Sequence, residues 1–178
     1  RSRGLGDVYK RQLYNRSGNE LRVESRTQNL YTKTMENSIT LCAMADNGTL
    51  AAVTEDPGSA ARLRVYSSSM EQLLSWSLTI ADGTPLRLAF SPDGRRLAVA
   101  AVTVNGGQMV TNFYVVTLAQ GDPMLVGSGS GAAQWLSWTG SQSILAVCDS
   151  RAVLYNASGG ERAAYDFTGQ TLRDISVD

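Results

Sequence analysis

The stretch that decides the fold runs from Leu86 to Val102 and reads LRLAFSPDGRRLAVAAV. Its first five residues alternate apolar and polar side chains, which is typical of a strand with one buried face. From Arg96 onward the stretch is a near-continuous apolar run, as expected of a central strand. Asp93 and Gly94 lie between the two and supply the positive backbone angles that a two-residue hairpin turn requires. We therefore expect two antiparallel strands joined by a tight turn.

This pattern recurs along the chain. Residues 45–53 (ADNGTLAAV) match residues 91–99 (SPDGRRLAV), and the glycines of the two turns, Gly48 and Gly94, are 46 residues apart. A second marker, LYNRSGNE at 13–20, recurs 141 residues later as LYNASGGE at 154–161, which leaves room for three units of about 47 residues. Periods of about 40 to 50 residues are typical of β-propeller blades. Asn47, Gly48, Asp93 and Gly94 are accordingly interpreted as structural turn residues of the blades.

Each unit contains four candidate strands, and four strands repeated every 47 residues is not a β-sandwich pattern. The sequence predicts an all-β fold, a partial β-propeller of about three to four four-stranded antiparallel blades, with repeats at approximately 39–84, 85–131 and 132–170. The candidate strands are 39–44, 50–54, 62–66, 73–78, 86–90, 96–102, 112–118, 124–126, 134–138, 144–148, 152–155 and 162–167.

The two ends of the chain are interpreted separately. Residues 1–12 lack a regular apolar period, and DVYKRQ at 7–12 resembles the in-frame translation of a sequencing adapter, so 1–12 is predicted to be a sequencing or cloning artefact. The alternative is a genuine basic arm. Residues 13–178 are expected to be a fragment of a propeller domain with partial repeats at both ends, the last beginning at a candidate strand, 172–177.

The motif FSPDGRRLA at 90–98 resembles the WD40-like repeat of bacterial propellers of the TolB and YVTN groups, in which Ser-Pro-Asp-Gly joins the first two strands of a blade. The span from Leu13 also resembles the family called domain of unknown function 5711. That resemblance implies a membrane anchor ahead of the propeller and a location on the extracytoplasmic face of a bacterial membrane. The Gly-His and Trp-Asp signatures of eukaryotic WD40 repeats are absent, so the partners of those proteins are not implied.

Composition excludes several function classes. Sixteen basic residues balance sixteen acidic ones, so no net charge favours nucleic acid or an anionic membrane surface. The chain contains no histidine, which removes Ser-His-Asp and Cys-His catalysis and histidine-based metal sites. Its two cysteines, Cys42 and Cys148, lie in apolar strands without a CxxC motif and are expected to be buried thiols. No catalytic residue, cofactor or metal ligand is predicted.

Two polar motifs have a structural and a functional interpretation. Gly127–Gly131 (GSGSG) lacks the Gly-Lys-Ser/Thr end of a phosphate loop and is predicted to be a flexible connection between blades. Asp46, Asp93 and Asp149 recur in turns and raise the alternatives of calcium binding or paired catalytic carboxylates. Because aspartate favours turns for backbone reasons, the structural interpretation is preferred.

The tryptophans Trp76, Trp135 and Trp138 are possible ligand contacts. For Trp76 and Trp138, which alternate with polar neighbours, packing between blades is the favoured interpretation. Tyr14, Tyr66 and Tyr155 are expected at equivalent third-strand positions in the core.

These features predict a non-enzymatic propeller that serves as a binding or scaffold module for a protein or peptide partner, soluble in itself and membrane-associated only through an anchor outside this chain. Nucleic acid is not expected as a partner. The alternative from a different class is a propeller-type hydrolase or lactonase, whose site further blades would complete.

Overall fold

The computed structural model describes the backbone of strands at 2–4, 11–16, 20–24 and 29–34, and both backbone and side chains at 39–149 and 151–167. Sixteen strands form within these ranges: β1 Ser2–Gly4, β2 Arg11–Arg16, β3 Glu20–Glu24, β4 Asn29–Thr34, β5 Ile39–Met44, β6 Leu50–Thr54, β7 Ala61–Tyr66, β8 Gln72–Leu78, β9 Thr84–Phe90, β10 Arg96–Asn105, β11 Gln108–Thr117, β12 Pro123–Ser130, β13 Ala133–Trp138, β14 Ser143–Cys148, β15 Arg151–Asn156 and β16 Glu161–Asp166. The part of the chain that the structure describes contains no helix capable of spanning a membrane.

Consecutive strands pair antiparallel in sets of four, which gives four sheets within the described residues. We call them blade I (β1–β4), blade II (β5–β8), blade III (β9–β12) and blade IV (β13–β16). The first strand of blade III lies beside the first strands of blades II and IV. Four-stranded meanders arranged radially about their first strands are the architecture of a β-propeller.

The repeat is clearest in β6, β10 and β14, the second strands of blades II, III and IV. Leu50, Leu97 and Ile144 follow one another at a spacing of 47 residues, and each is fully buried. Each packs on the face of its sheet that is turned toward the preceding blade. The shorter spacing of 46 between Gly48 and Gly94 arises because the first turn has one residue fewer before its apolar run.

The core consists of apolar layers between neighbouring blades, because alternate residues of a strand point to opposite faces of its sheet. The layer between blades II and III contains Ala51, Val53, Leu63, Val65, Leu97, Val99, Ala101, Tyr114 and Val116. The layer between blades III and IV contains Ala98, Ala100, Phe113, Val115, Ile144, Ala146, Cys148, Val153 and Tyr155.

Most strand predictions in blades II to IV are confirmed, and two differences stand out. The hairpin of β10 and β11 is longer than predicted, since its two ten-residue strands run up to the two-residue turn Gly106-Gly107. Tyr14 lies in β2, the second strand of its sheet and not a third one, whereas Tyr66 and Tyr155 are buried in third strands as expected. The candidate strand at 172–177 lies outside the described residues, and the artefact interpretation of 1–12 stays a prediction, although β1 and the start of β2 lie there.

The turn between first and second strands differs from the predicted two-residue type. Gly48 and Gly94 have φ of 87° and 70°, but Asn47 and Asp93 do not have positive φ. The amides of the two glycines donate to the carbonyls of Ala45 and Ser91, three residues earlier. Each turn is therefore a type I turn followed by a left-handed glycine, because a longer loop needs a positive φ only at its end.

We expect Leu97→Ala to lower the free energy of unfolding by about 2 to 5 kcal/mol, since it opens a cavity in the layer between blades II and III. The matched control is Leu125→Ala, because Leu125 is 54% exposed on β12 and its loss is expected to change stability by less than about 0.5 kcal/mol. Urea denaturation of both variants checks this. Equal effects would contradict the assignment of Leu97 to the core.

Candidate functional site

The two ends of the blades differ in chemistry. At one end, the upper end, lie the turns between second and third strands and the connections to the next blade, including residues 55–60, 79–83, 106–107 and 131–132. At the other, the lower end, lie the remaining turns, 45–49, 67–71, 91–95, 118–122, 139–142 and 157–160. In the described residues, no large apolar side chain is exposed in the lower turns.

Three strongly exposed apolar side chains lie at the upper end. Ile80 is 81% exposed, Val104 68% and Met109 51%. Val104 and Met109 are paired across the long hairpin, so their side chains share one face. The other exposed large apolar residues lie elsewhere: Leu73, Met124 and Leu125 near the lower ends of the outer strands β8 and β12, Tyr165 on β16, and Trp135, 45% exposed, on the face of blade IV turned away from blade III. Exposed apolar side chains that share one surface, as Val104 and Met109 do, are typical of an interaction surface.

Hydrogen bonds fix Ile80 against the long hairpin. The hydroxyl of Thr103 donates to the carbonyl of Ile80 at 2.9 Å, and the Tyr114 hydroxyl donates to the carbonyl of Asp82 at 3.0 Å. Asn112 donates to the carbonyl of Asp82 as well, at 3.3 Å. The connection 79–83 is thereby fastened to blade III, and an open groove of about 690 Å³ runs beside it, lined by Gly58, Ser59, Ser77, Leu78, Thr79, Ile80 and Ala81.

A second cavity, the crevice, lies between blades III and IV. Its volume is about 280 Å³, close to the lower end of the range for small-molecule pockets. The residues that line it are Phe113, Ser128, Gly129, Ser130, Ala146, Cys148, Asp149, Arg151, Val153, Tyr155 and Asp166. Its floor is apolar and its rim carries the charged side chains.

Glycines on β12 create the crevice. Gly127 pairs with Phe113 just as Trp76 pairs with Leu63 in the preceding blade, so Gly127 occupies the position of Trp76. Trp76 fills its interface by meeting the ring of Tyr114 edge to face, at 5.1 Å between centroids. Against Gly127 lies instead the ring of Tyr155, which a Cβ on Gly127 would overlap.

The prediction that Gly127–Gly131 is a flexible connection is wrong for its first four residues. Residues 127–130 belong to β12 and pair in register with β11. Only Gly131, with φ of 86°, lies in the connection to blade IV. Gly127 and Gly129 occupy alternate positions of β12 and so lie on the same face of the sheet. Glycine suits both positions because this face lies close to blade IV.

Burial sets the chemistry of the two titratable groups on the floor. Burial raises the pKa of Tyr155 to about 12, and nearby Glu161 adds to the effect. The Tyr155 hydroxyl donates to the carbonyl of Ser128 at 3.1 Å. Burial also raises the pKa of the Cys148 thiol. Because a thiolate is the reactive form of cysteine, burial disfavours that form of Cys148.

The rim of the crevice is acidic. Arg151 contacts Glu161 at 3.0 Å and Asp166 at 3.5 Å, so its charge is matched within blade IV. Asp149 forms no ion pair with any side chain in the ranges that the structure describes. Its own φ is 45°, and its carboxylate lies beside Gly131. These four groups carry one positive and three negative charges.

The tryptophans have separate roles. Trp76 packs between blades II and III, and the Trp138 indole donates to the carbonyl of Ala89 in blade III at 2.8 Å, which confirms packing between blades for both. The guanidinium of Arg96 also stacks over Trp138, 4.8 Å from the ring centroid. Trp135 is the exception, since it is half exposed and its indole donates only to Ser137.

The turn residues join neighbouring blades at the lower end. The side-chain amide of Asn47 donates to the backbone carbonyl of Asp93 at 3.2 Å, and the same side chain covers Gly94. The proposed recurrence of Asp46, Asp93 and Asp149 does not hold in space, because Asp149 lies at the upper end in a turn between second and third strands. Turn aspartates at opposite ends look alike in sequence.

The first strands, which lie nearest the centre of the propeller, carry little reactive chemistry. The sequences of β1, β5, β9 and β13 contain no aspartate or glutamate. Among the described residues, no three potential metal ligands lie together. The sequence analysis did not predict the exposed residues Ile80, Val104 and Met109 or the crevice. The spacing of Gly127, Gly129 and Gly131 at every second residue could have indicated a strand with one face free of side chains.

The model of a family of unknown function, DUF5711, matches residues 12–161. The chain belongs to this family. No curated protein matches the DUF5711 chain significantly.

Solved propellers share its fold. KlAtg21, in its complex with the coiled coil of AgAtg16, is 11% identical, with a TM-score of 0.67 over 92% of this chain and 54% of that one. The propeller domain of the Trilobed protease from Pyrococcus furiosus is 12% identical, with a TM-score of 0.56 over 72% and 42%. TolB from Acinetobacter baumannii is 17% identical, with a TM-score of 0.56 over 82% and 38%. The chain spans about half the length of the first solved structures it matches, and the predicted all-β propeller is confirmed.

The turn carboxylate of Asp93 is expected to make stability depend on pH. The Ser91 hydroxyl, at 2.7 Å, and the Arg95 amide donate to it and lower the pKa of Asp93 below its ordinary value of 3.8. A lowered pKa in the folded state stabilises the fold above the ordinary value, and this stabilisation is lost as the pH falls through the lowered one. We expect Asp93→Asn to be less stable than the wild type near pH 7, and the difference to shrink as the pH falls below 3.8 and to vanish below the lowered pKa of Asp93.

Urea denaturation at several pH values measures this. Asp46→Asn is the matched control, because Asp46 lies in the equivalent turn and accepts no hydrogen bond from the residues that the structure describes. A stability difference for Asp93→Asn that stayed constant with pH would contradict the explanation.

The fit of Tyr155 against β12 gives a sharper expectation. We expect Gly127→Ala to destabilise the fold by about 1 to 3 kcal/mol, because the added methyl group overlaps the buried ring of Tyr155. Ser128→Ala, at the next position, removes only the exposed hydrogen bond from the Ser128 hydroxyl to Asn112 and is expected to cost about 0.5 kcal/mol. Thermal unfolding of the two variants distinguishes them, and tolerance of Gly127→Ala would show that the interface is not closely packed.

Proposed function

We propose that this DUF5711 propeller is a non-enzymatic binding or scaffold module whose upper end receives a protein or peptide partner. The observation that carries the proposal is the apolar tip of the long hairpin together with the connection beside it. Ile80, Val104 and Met109 are exposed there, whereas Leu73, Met124 and Leu125, the exposed apolar residues nearest the lower end, lie on the outer strands β8 and β12.

The surface that we propose for docking is positioned rigidly. The long hairpin is a continuous ladder up to Asn105 and Gln108, and its base is held to the connection 79–83 by Thr103 and Tyr114. A preformed surface loses little conformational freedom on binding, which favours affinity.

A hydrolase or lactonase is the alternative from a different class, and it receives no support from the described blades. The first strands carry no carboxylate, and Cys148 is a buried thiol with a raised pKa. A metal-dependent hydrolase needs several oxygen ligands converging on one point. The binding role requires no such cluster.

The proposed location is the extracytoplasmic face of a bacterial membrane, reached through an anchor outside this chain. This part of the proposal rests on the family. The equal numbers of acidic and basic residues are consistent with it, since they provide no direct electrostatic attachment to a membrane.

Cysteine labelling tests the proposal in cells. We expect Met109→Cys and Ser141→Cys, placed in the intact parent protein, both to react with a membrane-impermeant maleimide in spheroplasts. Partner binding should slow labelling at Met109→Cys by roughly tenfold relative to the purified protein, whereas labelling at Ser141→Cys, on the lower end, should be the same in both. The native Cys42 and Cys148 interfere little, because burial raises the pKa of each thiol.

Two results would overturn parts of the proposal. Failure of both positions to react in spheroplasts, with reaction after lysis, excludes the extracytoplasmic location. Equal labelling rates in cells and in purified protein at Met109→Cys exclude an occupied upper end.

A further inference from the structure

The interface between blades III and IV is less completely filled by side chains than the interface between blades II and III. Between blades II and III the outer strand contributes Trp76 and Leu78 to the apolar layer. At the same positions of blade III stand Gly127 and Gly129, as the register of β12 with β11 shows. Tyr155 lies against the first glycine and the smaller Cys148 against the second, and the crevice opens beside them.

The crevice combines an apolar floor with an acidic rim. Phe113, Cys148 and Val153 are buried on the floor, and the rings of Phe113 and Tyr155 lie 5.4 Å apart. On the rim, Asp149 and Asp166 face the opening with Arg151, whose positive charge is already matched by Glu161 and Asp166. The opening therefore has a net negative charge.

We propose that the crevice is a binding pocket for one basic side chain, a lysine or an arginine, of a partner segment docked on the upper end. The methylene stem would lie against the apolar floor, where its burial favours binding. The cationic end would remain at the rim, close to Asp149 and Asp166. Long basic side chains bury their stems and keep their charges near water in this manner.

The position of the crevice connects it to the docking surface. Met109 lies on the same face of β11 as Phe113, because the two are four residues apart along a strand. The carbonyl of Met109 accepts the amide of Gly131, and Gly131 lies against the carboxylate of Asp149. A single partner segment would thus place an apolar residue against Met109 and a neighbouring basic residue in the crevice. The inference rests on the proposed binding function and adds the chemistry of the partner.

Direct titration of the full chain tests the pocket without any knowledge of the natural partner. The probes are three capped tripeptides, acetyl-Gly-X-Gly-amide with X lysine, norleucine or glutamate, followed by protein NMR. We expect the lysine peptide to shift the signals of Gly129, Val153 and Tyr155 and to bind roughly threefold or more tightly than the norleucine peptide. The glutamate peptide should bind most weakly.

Two kinds of variant separate charge from shape. Asp149→Asn retains a residue that tolerates the left-handed conformation of the turn, and with Asp166→Asn it should remove the preference for lysine over norleucine while preserving the fold. Gly129→Val should reduce binding of both peptides, since Gly129 has an ordinary backbone conformation and its Cβ would point at Cys148, 3.3 Å from the sulfur. Ser128→Val is the matched control: the backbone of Ser128 borders the crevice, but its hydroxyl donates to the side chain of Asn112 at 2.8 Å, on the opposite face of the sheet from Phe113.

Equal binding of all three peptides, shifts confined to other surfaces, or an unchanged preference in the doubly neutralised variant would each overturn the inference. None of these results bears on occupancy of the upper end, which the labelling of Met109→Cys measures separately. Protection of that cysteine together with a crevice that ignores lysine would retain the binding module and remove only this pocket.

Discussion

Packing between neighbouring blades is the interaction on which the rest of the structure depends. A single four-stranded sheet has two faces and cannot bury either one alone, so each blade is stable only against the next. Leu50, Leu97 and Ile144 occupy the same fully buried position 47 residues apart. The period visible in the sequence is therefore the period of this contact, and the polar turns are free to vary around it.

The interfaces between blades are not identical, and their difference creates the crevice. Between blades II and III an outer-strand tryptophan, Trp76, meets a third-strand tyrosine, Tyr114. Between blades III and IV the large ring, Tyr155, comes from the third strand alone and faces Gly127. A repeat protein can place a pocket in one interface by exchanging large and small residues in this manner, without altering the backbone plan of its blades.

Sequence reasoning located the strands well because their signals are local. The apolar run after Asp93-Gly94 and the alternation before it are visible in any window of ten residues. The site was not found, because its signals depend on register. Gly127–Ser130 has the composition of a linker, and only its pairing with β11 makes it a strand with one bare face. Asp149 resembles Asp46 and Asp93 until the topology places it at the other end of the blade.

The separation of chemistry between the two ends follows from the same topology. At the lower end, the side chain of Asn47 donates to the carbonyl of Asp93 and Trp138, at the end of β13, donates to the carbonyl of Ala89, so these polar groups help to hold neighbouring blades together. The upper end has the long hairpin, whose tip extends past the connection to blade IV and makes no contribution to the buried layers. Val104 and Met109 therefore lie outside the buried layers. Apolar side chains at such a place lower solubility unless something covers them, and this is the physical basis of the proposal that a partner docks at the upper end.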